Sequence, residues 1–87
     1  MQLLCTYEIS GFDAWKTAFD DDADARREAG LTVLQIWRDA DSDSRAFVLL
    51  GLTDRPRAQA WLDRSEALRS DDAGTVTATT AHFLATA

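Results

Sequence analysis

Few residue types in this chain are suited to chemistry. His82 is the only histidine and Tyr7 the only tyrosine. An imidazole changes charge near neutral pH and suits proton removal from a phenol or an acidic C–H. A strand tyrosine could orient a substrate hydroxyl. Both have a plainer reading, His82 as a histidine held in an interface and Tyr7 as a core ring with its hydroxyl at the rim. Trp15, Phe19 and Trp61, with Trp37, could wall a site for a flat aromatic or apolar molecule. Aromatics at helical spacing also make an ordinary core. Cys5 is a lone cysteine in an apolar run, with no electropositive neighbours to make it reactive.

Other chemistry finds no support. Asp20-Asp21-Asp22 with Asp24 could attract a cation, but reads as a solvated helix face or a break between two shorter helices. Asp39, Asp41 and Asp43 match the opening of a calcium loop. The match ends there, because its sixth position is Ser44 where glycine is needed and its twelfth is Leu50 where a bidentate glutamate is needed. No metal-ligand cluster, nucleophile–base pair or glycine-rich phosphate loop occurs, so neither metal nor cofactor is expected. Nine Lys and Arg against fifteen Asp and Glu give a net charge of −6, which argues against nucleic acid and anionic membranes as partners. No apolar run approaches the length of a membrane span. Met1-Gln2-Leu3-Leu4-Cys5 lacks the basic start of a signal peptide, so a cytoplasmic protein is expected.

The elements that must position these residues are legible in order. Gln2 to Ile9 reads as a strand with Leu3, Cys5, Tyr7 and Ile9 on one face. Ser10 and Asp13 suggest a capping box opening a helix, on which Phe12, Trp15, Phe19 and Ala23 form one stripe. Gly30 is placed to end it in a left-handed cap, after Arg26 and Arg27, whose charges suit a helix C-terminus. Leu31–Arg38 and Arg45–Thr53 read as strands joined by Asp39-Ala-Asp-Ser-Asp-Ser44, nearly pure turn chemistry. Thr53-Asp54-Arg55-Pro56 opens a second helix with Ala58, Trp61, Leu62 and Leu68 as its buried stripe, continuing through or restarting at Ser65 and ending at Asp71-Asp72-Ala-Gly74. Val76 to Leu84 is the last strand, and its alternation puts His82 with Val76, Ala78, Thr80 and Leu84.

Eighty-seven residues in this order make one α+β domain. Strand, helix, strand, strand, helix, strand predicts a ferredoxin-like βαββαβ sandwich. Its four-stranded antiparallel sheet would hold the first and third strands at the centre and both helices on one face. The strands also carry apolar residues for the other face, Leu4, Val33, Trp37, Phe47 and Leu49 among them. A second copy of the chain is expected to cover it. Trp37 then either anchors that interface or joins the cleft under the helices, and alternation alone does not choose. Glu8 is expected to pair with Arg38 or Arg45.

These residues suggest a family. Phe12-Asp-Ala-Trp-Lys16 with Phe19-Asp20, Arg26-Arg27, Ala29-Gly30-Leu31 and Trp37-Arg38-Asp39 resemble small bacterial proteins of the dimeric α/β-barrel superfamily, the antibiotic-biosynthesis-monooxygenase-like (ABM-like) group. Ala58-x-Ala60-Trp61-Leu62, Ser65-Glu66-x-Leu68-Arg69 and Phe83-Leu84 extend the likeness over nearly the whole chain. The resemblance implies a homodimer whose two sheets meet as an eight-stranded barrel, with a cleft for an aromatic or planar molecule between sheet and helices. It implies a cofactor-free monooxygenase or a polyketide-cyclase-type enzyme, with a non-catalytic small-molecule-binding or structural dimer as the alternative. Haem degradation is not expected, since the relatives that perform it rely on an asparagine and this chain has none. Where many monooxygenase-type relatives carry a histidine after a serine-rich turn, this chain has Leu68 and Arg69.

Overall fold

A computed structural model describes residues 1–71 and 76–87, with side chains described for 1–64 and 76–87. The elements run β1 (Gln2–Ile9), α1 (Phe12–Asp21), α2 (Ala23–Glu28), β2 (Leu31–Arg38), β3 (Arg45–Leu52), α3 (Arg55–Asp71) and β4 (Val76–Leu84). The fold is α+β, with one four-stranded sheet in the order β2-β3-β1-β4 and antiparallel pairing throughout. β1 and β3 lie at the centre, as the sequence predicts.

The register divides the sheet into two unlike faces. Leu3 opposes Leu50, Cys5 opposes Val48 and Tyr7 opposes Ala46. All six are buried, and they form one core with Trp15 and Phe19 of α1 and Ala58 and Trp61 of α3. The helices therefore cover this face. Leu4 opposes Leu49 and Thr6 opposes Phe47 on the other, which no helix covers among the described residues.

Local chemistry explains the helix boundaries. Gly11, not Ser10, is the N-cap of α1, in an extended conformation. The aspartate run breaks the first helix as one of its two readings anticipates. Asp22 ends α1 and starts α2, since aspartate favours helix ends over helix interiors. Gly30 takes φ +74° just past the end of α2, as its placement predicts. Asp54 starts α3 by accepting a hydrogen bond from the Arg57 amide at 3.4 Å, with Pro56 in the first turn where no amide is needed. α3 runs unbroken through Ser65, while the side chain of Leu68 and the end expected at Asp72–Gly74 lie outside the described residues.

Two irregularities depart from simple alternation. β2 is shifted against β3 between Val33 and Gln35, leaving Leu34 as the extra residue of a bulge. Leu34 lies against Gly51 on the open face, whereas Ile36, opposite Val48, packs on the core. Val33 opposes Leu50 and so belongs to the helix side, where it remains exposed on the edge strand. A second shift between Glu8 and Ile9 brings Val76 opposite Ile9 and into contact with the core. Val76 thus leaves the side it was expected to share with His82.

Candidate functional site

The helix side is built around an aromatic chain. Tyr7 reaches it from β1, and α1 delivers Phe12, Trp15 and Phe19 one turn apart. Ring centroids lie 5.4 Å apart for Tyr7 and Trp15, 5.5 Å for Phe12 and Trp15, and 5.0 Å for Trp15 and Phe19, all tilted. Such spacing is ring against ring, in van der Waals contact. Trp15 is 2% exposed and Trp61 3%. Three of the four residues expected to wall a ligand cleft are thus core residues. Ala46, opposite Tyr7, is the small residue that leaves room for the rings.

Arg26 is the residue this face adds to those read from the sequence. It is 5% exposed, with its guanidinium 3.7 Å from the centroid of the Phe19 ring and Nη1 donating to the Phe19 carbonyl at 2.7 Å. Across the break at Asp22, Arg26 reaches the C-terminal turn of α1, where the Phe19 carbonyl also accepts from the Asp22 amide at 3.2 Å and the negative end of the helix dipole lies. Burial lowers the Arg26 pKa, countered by the charges of Asp22, Tyr7 and Asp20. Two adjacent arginines at a helix end look alike in sequence; Arg27 is exposed and paired with Asp24 at 3.1 Å. The signal for Arg26 is its place one turn past the aspartate break.

Cys5 is buried beside Tyr7. Burial pushes its thiol up to about 11, offset in part by a hydrogen bond with Tyr7. It is a neutral, unreactive group at ordinary pH, in keeping with the sequence reading. Among the described residues, Trp61 Nε1 and Thr79 Oγ1 are buried without a hydrogen-bond partner.

His82 lies across the sheet from all of this. It opposes Leu4, whereas Tyr7 opposes Thr79. Odd-numbered β1 residues face the helices and even-numbered ones the open side, so Tyr7 and His82 stand on opposite faces and cannot share a substrate within one protomer. Trp37, opposite Phe47, is on the open face and 45% exposed. With Leu4 and Phe47 it forms the apolar floor of a shallow groove of about 540 Å³, closed at one end by Arg38, Asp39 and Ala40. The Arg38 guanidinium stands 5.6 Å from the centroid of the Phe12 ring. Arg45, not Arg38, takes Glu8, at 3.0 Å.

The acidic turn is held by its own hydrogen bonds. Asp39 Oδ1 accepts from the Asp41 amide at 2.9 Å, and Ser42 Oγ accepts from the Ser44 amide at 3.1 Å. Among the described residues no group of three His, Cys, Asp or Glu side chains is placed to hold a metal ion, and no helix is long and apolar enough to cross a membrane. In comparisons with protein-family models, curated proteins and solved structures, the chain has no match.

Proposed function

We propose that this chain works as a homodimer of ferredoxin-like protomers, their open sheet faces closing on each other as an eight-stranded barrel, and that its role is to bind rather than transform a small apolar or aromatic molecule. The observation behind this reading is the open face itself. Leu4, Leu34, Trp37, Phe47, Leu49 and Leu84 lie on one side of a four-stranded sheet with no helix over them. Large contiguous apolar faces mark interaction sites.

Charge favours a second copy as the occupant. Of the fifteen acidic residues only Glu8 projects from the strands onto this face, and Arg45 neutralises it. Two chains of net charge −6 repel, yet here they would present uncharged surfaces to each other. Area agrees. A molecule of 30 × 29 × 18 Å offers roughly 800 Å² on its broad side, the share each partner contributes to a standard interface. The groove floored by Leu4, Trp37 and Phe47 would then be roofed by the partner and become the place for a flat ligand. The ABM-like resemblance points to the same assembly.

Native mass spectrometry at micromolar concentration tests this. The wild type is expected as a dimer, and Phe47→Glu as a monomer with an unchanged far-ultraviolet circular dichroism spectrum, because a carboxylate at the centre of the face cannot be buried unpaired. A monomeric wild type would sink the proposal. Additional mass on the dimer would identify the ligand class.

A second reading, a cofactor-free monooxygenase or polyketide-cyclase-type enzyme, is favoured by one observation: the buried Arg26 guanidinium interacts electrostatically with Tyr7. The Tyr7 hydroxyl would then orient a substrate hydroxyl. In this reading Tyr7 acts among Trp15, Phe19 and Trp61, without His82. Oxygen uptake with a panel of hydroquinones should then fall at least ~100-fold in Tyr7→Phe. Equal rates in the two proteins would remove Tyr7 from the reaction.

A further inference from the structure

We infer that His82 makes the pairing of the open faces pH-sensitive, so that the dimer proposed above dissociates under mildly acidic conditions; the inference rests on that dimer. The only histidine of the chain lies on this face and no other, opposite Leu4 on β1 and beside Thr80 and Leu84 on β4. It is exposed in the protomer and is covered when a second sheet closes over it.

The groups that share this face decide the direction. On β1 the neighbours are Gln2, Leu4, Thr6 and Glu8. β3 contributes Arg45, Phe47, Leu49 and Gly51, and β2 contributes Thr32, Leu34, Gln35 and Trp37. Among the described side chains of the face, Glu8 and Arg45 are the only other charges on the strands, with Asp39 at its end 3.9 Å from Arg45. Glu8 opposes Ala78, four residues along β4 from His82, and it is already bonded to Arg45 at 3.0 Å. The opposing sheet presents the same set. No unpaired carboxylate therefore awaits an imidazolium, and protonation would bury an uncompensated charge among leucines, threonines and aromatic rings.

The sign follows from linkage. Burial in the dimer disfavours the charged form, so the monomer binds protons that the dimer excludes, and acid drives dissociation. A two-fold dimer buries two copies of His82. The dissociation constant should then rise about 100-fold between about pH 7.5 and about pH 5.5.

Sedimentation equilibrium at these two pH values, on the wild type and His82→Gln, tests the inference, with circular dichroism on the same samples. The expected result is a wild-type dimer that dissociates in acid with its fold intact, and a glutamine variant dimeric at both pH values. A wild type dimeric at both overturns the inference while leaving the dimer standing. Equal acid dissociation of both proteins, or dissociation that accompanies unfolding, overturns the role of His82. A wild type monomeric at both pH values overturns the dimer and the inference together.

Discussion

Cys5 shows how burial alone sets the chemistry of a side chain. Its thiol, ordinarily at 9.0, is pushed up to about 11 because a thiolate at that position would lose its hydration among Leu3, Val48 and Tyr7. A group raised in the folded state stabilises the fold fully below its unfolded value and ceases to do so as pH rises through its folded value. Between about pH 9 and about pH 11 the protein should thus lose on the order of 2–3 kcal/mol of stability from this group. Urea denaturation across that range is expected to show a weaker alkaline loss in Cys5→Ala, which starts less stable because it leaves a cavity. Parallel pH dependences in the two proteins would assign the loss elsewhere. Arg26 illustrates the opposite case, a charge kept in the core by its contact with the Phe19 ring and its bond to the Phe19 carbonyl. Its place one turn past the aspartate break is a sequence signal, and the fold shows that this arginine, not its neighbour Arg27, is the buried one.

At the scale of elements, the junction of α2 and β2 turns on one glycine. Gly30 has φ +74°, a region that costs an L-residue about 1–2 kcal/mol, and a Cβ there would collide with Thr53 Oγ1. The Thr53 amide donates to the Gly30 carbonyl at 3.2 Å, and Arg57 donates to the Glu28 carbonyl beside it. This corner therefore ties the start of α3 to the end of α2. Gly30→Ala is expected to lower unfolding free energy by at least ~2 kcal/mol in urea. Gly11→Ala is the control: its φ of −178° is ordinary extended backbone and the nearest atom to an added Cβ is Asp43 Oδ2 at 3.8 Å, so it should change stability by less than about 0.5 kcal/mol. Equal losses in both would refute the account of the corner. The other corner, at Asp22, breaks a helix by the same local logic, and both were legible from residue type.

At the scale of the whole molecule, what matters is which residues end up on the same side. The sequence by itself determined the order of elements, the turn at Asp39–Ser44, the cap at Gly30 and the inward stripe of Trp15, Phe19 and Trp61. These follow from periodicity and backbone preference, which act over a few residues and need no partner. It also made plain that the strands carry apolar residues for two faces. Only the tertiary structure decided that Tyr7 and His82 are parted by the sheet, that Trp37 belongs with Phe47 and Leu4, and that Leu34 crosses to the open face. Alternation fixes which residues of one strand share a side. It does not relate one strand to the next, and each bulge reverses the count, so face membership is settled by register. The same holds for Arg26, whose burial depends on its contact with Phe19 across the break between α1 and α2.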